Sequence, residues 1–229
     1  MIKIQFKLAR LYEFKGRLNM ENIILETKDL SFNDTIHYQD IQIIRNKVNF
    51  IVGKSGTGKS TLLRLFNCTL SQSSGDIRYL SNSLSEMDTI EIRKEISLIS
   101  QSVFLFDTSL RDNFNQFHEF RGLPAPTEQV MKEFLHLCCI NFDLDKVCTT
   151  MSGGERQRVY IAIFLSFLPS VIMLDEPTSA LDKDNSHNVI NNVLAFCKDK
   201  GITVIVVSHD SNLTEDFAEN IITIGKEGN

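Results

Sequence analysis

Residues 53–60 read Gly-Lys-Ser-Gly-Thr-Gly-Lys-Ser, and their types and spacing fit a phosphate-binding loop. Glycines let successive backbone N–H groups turn toward an anion. Lys59 offers a positive charge to the β- and γ-phosphates of a nucleotide, and the Ser60 hydroxyl suits Mg²⁺. A largely apolar run precedes the loop and a helical pattern follows it, which is the context that such a loop needs. The sequence therefore predicts binding of a nucleoside triphosphate with Mg²⁺ by Gly53, Lys54, Ser55, Gly56, Thr57, Gly58, Lys59, Ser60 and Thr61.

Two carboxylates, Asp175 and Glu176, directly follow the apolar run 171–174. The carboxyl ends of core strands line the crevice in which α/β sheets bind ligands. We expect Asp175 to hold the Mg²⁺, directly or through water. Glu176 is expected to point at the water that attacks the γ-phosphate.

A second loop of hydroxyl and glycine residues opens a helical pattern at 152–158, where the chain reads Ser-Gly-Gly-Glu-Arg-Gln-Arg. A helix N-terminus with a free serine and flexible glycines is another anion site. Because one nucleotide does not need two phosphate loops, the second loop predicts use by a dimer partner.

The elements that position these residues alternate along the chain. Strand-like runs at 48–52, 96–100, 171–174 and 203–208 take turns with helical patterns at about 59–68, 127–139, 153–167 and 185–199. This alternation predicts an α/β fold with a mainly parallel, doubly wound sheet. With the phosphate loop it indicates a P-loop NTPase core, and we also expect an antiparallel β edge. The alternation stops near residue 104, and a phenylalanine-rich block predicts an inserted helical subdomain at about 104–168.

Net charge, cysteine content and hydropathy exclude several classes of function. The net charge is −5 and the pI is about 5.6, which argues against a nucleic-acid binder. Five cysteines lack the density and spacing of a disulfide scaffold or a zinc site, so we expect reduced, mostly buried thiols. The most apolar stretch, 160–174, is broken by Pro169 and is shorter than a span of roughly 18–20 residues. No signal peptide is recognisable either, so we expect an intracellular protein with no direct membrane insertion.

Taken together, these motifs resemble the ATPase subunits of ABC transporters, over about residues 21–225. The matching features are the two glycine loops, Gln101 after the run 96–100, Val-Ile-Met-Leu-Asp-Glu at 171–176, Ser-Ala-Leu-Asp at 179–182, and His209 after the run 203–208. Residues 20–229 would then form a single ABC ATPase domain. Residues 1–19 would be either a regulatory or membrane-surface arm or a non-essential extension.

The resemblance implies a head-to-tail homodimer that sandwiches two ATP molecules. The Mg²⁺ would be bound by Ser60, Asp175 and Gln101. The catalytic residues would be Glu176, His209 and Gln101. Ser152, Gly153 and Gly154 would cap the γ-phosphate of the partner's ATP, and Asp182 would lie at the dimer seam. Such proteins also stack adenine on an aromatic residue before the phosphate loop, where Phe32 or Tyr38 could substitute here.

The resemblance also implies a separate integral-membrane permease, which holds the subunit at the inner face of the cell membrane. Its docking groove would include part of the aromatic block from Phe104 to Phe120, whose other members would be core. Nothing in the chain could recognise a solute. The segment 179–189 resembles ATPase subunits of bacterial metal export, notably of iron.

The alternative class is an ABC ATPase without a transport role, either a DNA-repair clamp or a translation factor. A repair clamp needs a long coiled coil, but only 92 residues separate Lys59 from Ser152. Translation factors of this kind normally carry two cassettes. A P-loop kinase, the third class, would not need residues 152–158.

Overall fold

A computed structural model describes residues 22–33, 35–178 and 183–225, with the side chains of 183–186 left out. The strands are β1 Ile23–Phe32, β2 Ile36–His37, β3 Gln42–Ile44, β4 Val48–Val52, β5 Ser74–Tyr79, β6 Asn82–Ser83, β7 Ile96–Ile99, β8 Val171–Asp175, β9 Thr203–Val207 and β10 Asn220–Thr223. The α-helices are α1 Lys59–Phe66, α2 Thr89–Glu95, α3 Leu110–Phe120, α4 Glu128–Leu137, α5 Gly153–Leu165, α6 Lys183–Lys200 and α7 Ser211–Phe217.

One layer of the fold is a parallel sheet in the order β10-β4-β9-β8-β7. Its central strands are almost wholly apolar because both faces are covered. Successive residues face opposite sides, so Phe50 belongs to one core cluster and Ile51 to the other. The predicted α/β fold with a mainly parallel sheet is confirmed.

An antiparallel sheet covers one side of this layer. Its path is β2-β1-β5-β6, and β3 also pairs with β1. The predicted antiparallel edge is therefore a separate sheet of five strands. Its apolar residues share the second core cluster with α1.

The phenylalanine-rich block folds as helices α3 and α4, which pack on α5. Side-chain caps fix where these helices begin: Ser109 accepts from the backbone N–H of Asp112, and Thr127 from that of Val130. Phe114 is fully buried, whereas Phe104 and Phe120 are 58% and 71% exposed. The block therefore contributes both core and surface.

Residues 1–19 and 226–229 lie outside the described residues. None of the helices in the described part of the chain combines the length and apolar character that a bilayer span requires. Of the five free cysteines, Cys138, Cys148 and Cys197 are buried and Cys139 is exposed. Burial raises the pKa of the Cys197 thiol to about 12, so this thiol stays protonated at neutral pH.

Candidate functional site

The phosphate loop joins β4 to α1, as its sequence predicts. Gly56 and Gly58 have φ angles of 80° and 91°, in the left-handed region that favours glycine. Gly58 is the N-cap of α1 and offers no side-chain cap, so the first N–H groups of the helix are available to an anion.

Lys59 is 6% exposed, and its ammonium group lies within the loop. The Nζ atom donates to the carbonyl oxygens of Gly53 and Lys54, at 2.8 and 2.9 Å. The Thr57 hydroxyl donates to the same Lys54 carbonyl at 2.9 Å. These bonds hold the loop in a curve around the position of the lysine charge.

Ser60 and Asp175 meet at the floor of the site. The Ser60 Oγ donates to Asp175 Oδ1 at 3.0 Å, and Asp175 is 4% exposed at the end of β8. The contact joins the first turn of α1 to the neighbouring strand. Two oxygen ligands of the kind that Mg²⁺ prefers therefore lie side by side.

Glu176 is held by three parts of the fold. Its φ is 51°, and its N–H donates to the carbonyl of Val207 at 2.9 Å. Its own carbonyl accepts from Gln157 Nε2 on α5 at 3.4 Å, and its Oε2 accepts from the His209 N–H at 3.3 Å. A left-handed glutamate is sterically unfavourable, so these contacts fix a backbone geometry that directs the side chain toward the phosphate loop.

The second carboxylate oxygen of Glu176 is buried and has no hydrogen-bond partner among the described residues. His209 Nε2 lies 3.2 Å from it, within ion-pair distance but without hydrogen-bond alignment. An oxygen that is short of a donor in this position is a suitable acceptor for a proton from water.

A cleft of about 560 Å³ brings most of the predicted residues together. It is lined by Ser55, Gly56, Gly58, Lys59, Ser60, Thr61, Gln101, Glu176 and His209. Sequence reasoning missed two apolar members, Ile36 and Val207. Ile36 gave no signal because its place depends on how β2 pairs with β1.

Ser152 begins α5 and does not line this cleft. Its hydroxyl accepts from the N–H of Glu155, and the Glu155 carboxylate accepts from the N–H of Ser152, which completes a capping box. That backbone hydrogen bond lowers the pKa of Glu155. Ser152 and Gly153 are exposed, and a Cβ added to Gly153 would meet nothing within 4 Å. The loop is therefore open to an external ligand.

The predicted site also includes Asp182 and two candidates for base stacking, Phe32 and Tyr38. Asp182 and its neighbours 179–181 lie outside the described residues. Tyr38 is buried and Phe32 is packed against the second core cluster. Neither ring is among the residues that line this cleft, and base stacking by one of them stays a prediction.

An exposed aromatic surface, made of Phe104, Phe106 and Phe120, follows Gln101. The Phe106 ring centroid lies 4.9 Å from that of Phe104 and 6.0 Å from that of Phe120. Buried Asn113 fixes the loop, because its side chain bonds both the N–H and the carbonyl of Phe106. This surface is therefore rigidly attached to α3.

Comparisons with known proteins agree with this geometry. A family model described as "ABC transporter" matches residues 36–179. The probable iron export ATP-binding protein FetA of Escherichia coli is 32% identical over 191 residues, which cover 79% of this chain and 84% of FetA. The hemin import ATP-binding protein HmuV of Aliivibrio fischeri is 32% identical over 194 residues, which cover 81% of this chain and 73% of HmuV. The dimeric structure of MJ0796, a bacterial ABC transporter cassette, superposes with a TM-score of 0.76 at 25% identity, covering 88% of this chain and 94% of MJ0796.

Proposed function

The chain belongs to the ABC transporter family and is one of its ATP-hydrolysing subunits, and we propose that it works as a homodimer that powers a separate membrane permease. The observation that carries the proposal is the convergence of Lys59, Ser60, Glu176 and His209 on one cleft beside the buried Asp175. A phosphate loop, two neighbouring oxygen ligands and a carboxylate oxygen without a hydrogen-bond donor are the parts that ATP hydrolysis needs.

Glu176 would act as the general base. Its free oxygen takes a proton from water, the water oxygen forms a bond to the γ-phosphorus, and the bond to the β-bridging oxygen breaks. The products are ADP and inorganic phosphate. Lys59 and the N–H groups of α1 would stabilise the negative charge on the phosphates, and His209 would contact the γ-phosphate from the edge of the cleft.

Ser60, Asp175 and Gln101 fit the Mg²⁺ that accompanies ATP. All three offer oxygen ligands, and Ser60 and Asp175 are already within 3.0 Å of each other. Bound there, the ion would neutralise charge on the phosphate oxygens. We expect hydrolysis to require Mg²⁺ and Ser60→Ala to raise the Mg²⁺ concentration needed for half-maximal activity.

The dimer proposal is supported by the position of Ser152, Gly153 and Gly154. These residues are accessible at a helix N-terminus yet do not line the cleft of their own chain. In a head-to-tail pair they would donate to the γ-phosphate held by the partner's phosphate loop. The dimeric structure of the MJ0796 cassette is consistent with this arrangement.

For the transported solute we propose a metal ion, iron first, moved outward. Similarity to an iron export protein supports this choice, whereas equal identity to a hemin import, a phosphate import and a glutamine transport protein makes both solute and direction the finer part of the proposal. We place the subunit at the inner face of the cell membrane, where the permease binds the exposed aromatic surface.

The test is affinity purification of the tagged chain from solubilised membranes, followed by reconstitution of the captured complex in vesicles. We expect an integral-membrane partner and ATP-dependent movement of iron. Capture of ribosomes or DNA instead would favour the alternative of a non-transport ABC ATPase. Movement of a different solute would overturn the metal assignment while leaving the ATPase assignment intact.

A further inference from the structure

Tyr38 lies behind the phosphate loop, at the end of the short strand β2. Antiparallel pairing matches Ser31 with His37 and Phe32 with Ile36, and the N–H of Tyr38 donates to the carbonyl of Leu30 at 2.9 Å. This register carries the Tyr38 ring into the second core cluster, where it is 7% exposed. The ring is therefore a fixed part of the wall against which the loop rests.

The hydroxyl of Tyr38 makes one specific contact with the loop. It donates to the carbonyl oxygen of Gly58 at 2.9 Å. The same oxygen accepts from the N–H of Leu62 at 2.8 Å, a backbone bond that anchors the first turn of α1. Two donors from separate parts of the chain thus fix the direction of this carbonyl.

The direction of that carbonyl determines the direction of a phosphate-binding group. The Gly58 carbonyl and the Lys59 N–H belong to one planar trans peptide unit, so they point in opposite directions. When Tyr38 and Leu62 hold the oxygen on the protein side, the N–H is held on the cleft side. Gly58 needs this help because its φ of 91° and the absence of a side chain leave its peptide easy to rotate.

The space behind Gly58 is filled by the same wall. A Cβ placed on Gly58 would lie 2.7 Å from the Tyr38 oxygen and 3.0 Å from Ile36 Cγ2. Burial also raises the pKa of Tyr38 to about 12, so its hydroxyl keeps its proton and remains a donor throughout the neutral range.

We infer that Tyr38 is a positioning residue for ATP binding, which acts through the Gly58–Lys59 peptide and not through the base. The inference rests on the proposed ATP site. It predicts an effect on any ligand that carries the triphosphate, whatever base is attached.

The experiment compares Tyr38→Phe with Tyr79→Phe as a matched control. Tyr79 belongs to the same antiparallel sheet, is 3% exposed, and its hydroxyl lies 3.5 Å from Glu95 Oε2, away from the cleft. For each variant we would measure melting temperature, kcat, KM, and the dissociation constants of ATP and of inorganic triphosphate.

We expect Tyr38→Phe to raise KM and both dissociation constants by about three- to tenfold, the range for loss of one hydrogen bond. The kcat should change by less than about twofold, because the lost contact serves bound substrate and transition state alike. Tyr79→Phe should leave all four ligand-dependent quantities unchanged.

Several outcomes would overturn the inference. Equal affinities in both variants would show that the hydroxyl does not position the loop. A loss for ATP without a loss for inorganic triphosphate would assign Tyr38 to the base. A much larger fall in melting temperature for Tyr38→Phe than for Tyr79→Phe would make its role structural. Failure of the unmodified protein to bind ATP would instead refute the proposed function.

Discussion

At the scale of single residues, Glu176 is the group on which the hydrolytic rate should depend most. Its backbone is fixed by Val207 and Gln157, and one carboxylate oxygen is both buried and short of a donor. An amide keeps the shape of this side chain but cannot accept a proton from water at neutral pH.

We therefore predict that Glu176→Gln lowers the rate of ATP hydrolysis by about 10²–10⁴-fold or more. Binding of ATP should be preserved, since Lys59 and the loop are untouched. Because ATP would then persist between the subunits, gel filtration with ATP should detect a stable dimer. The control is Asp216→Asn, which also replaces a carboxylate by its amide but at an exposed position on α7, and it should retain full activity. Undiminished turnover of the purified Glu176 variant would contradict the assignment.

At the scale of elements, α5 connects two functions. Its N-terminus presents Ser152 to the exterior, and five residues later Gln157 contacts the carbonyl of Glu176. The start of this helix would therefore serve the partner's ATP while its first turns support the base of its own site. The contact between Gln157 and Glu176 also connects α5 of the helical block to the end of strand β8 in the parallel sheet.

The exposed aromatic surface gives a prediction for the loop and helix that carry it. Phe104→Glu and Phe120→Glu should each lower ATP-driven transport by about tenfold or more, since a charge in an apolar contact removes an anchor. The ATPase activity of the isolated subunit should be unchanged. Ile221→Glu, on the distant strand β10 and 56% exposed, is the matched control. Full transport by both phenylalanine variants would place the docking surface elsewhere.

His118 gives a second prediction at this scale, because it ties α3 to the end of α5. Its Nδ1 lies 3.1 Å from the carbonyl of Pro124 and its Nε2 lies 2.9 Å from the Ser166 hydroxyl. Burial lowers the pKa of this imidazole below its usual 6.5; the hydrogen bond to the Pro124 carbonyl opposes this shift, and the charge of Arg121 adds to it. The folded state therefore favours the neutral ring, and the unfolded state binds the extra proton first.

The neutral His118 ring therefore makes its full contribution to the free energy of unfolding above about pH 6.5. This contribution is lost as the pH falls below that value. We predict that the melting temperature of His118→Gln falls less steeply between pH 7 and pH 5 than that of the unmodified protein. Gln116→Asn, on the same helix α3, changes no titratable group and should follow the unmodified protein. Parallel curves for all three proteins would contradict this account.

The elements also explain which features could be predicted from sequence. The phosphate loop and strands β4, β8 and β9 were predictable because their apolar runs and glycines are local signals. The register of β1 with β5 was not, because it pairs Lys28 with Asp76, far along the chain, across an irregularity. The role of Tyr38 could not be predicted because it depends on a contact with the Gly58 carbonyl, 20 residues along the chain. Phe32 and Tyr38 were both candidates for base stacking; the Tyr38 ring is buried, and stacking by Phe32 stays a prediction.

At the scale of the whole molecule, each active site should be assembled from two subunits. Lys59 and Ser152 would then belong to different sites, although one chain carries both. A pair that combines Lys59→Ala with Ser152→Arg has one site with both changes and one site with neither.

We predict that each variant alone is nearly inactive and that mixing them restores activity. The mixture should reach about a quarter of the normal rate if the subunits pair at random and the sites work independently. Two tags, one on each variant, would allow purification of the mixed pairs before the assay. Mixed pairs that form but stay inactive at saturating ATP would contradict the shared site.

The ammonium group of Lys59 has a consequence for the speed of nucleotide capture. Lysine carries three donor protons, and two of them bond carbonyls of the loop itself, which leaves one for an incoming phosphate. The charge is thus already desolvated and aimed before the nucleotide arrives, so little rearrangement remains to slow the encounter. We expect the association rate of ATP to follow diffusion and to depend on ionic strength.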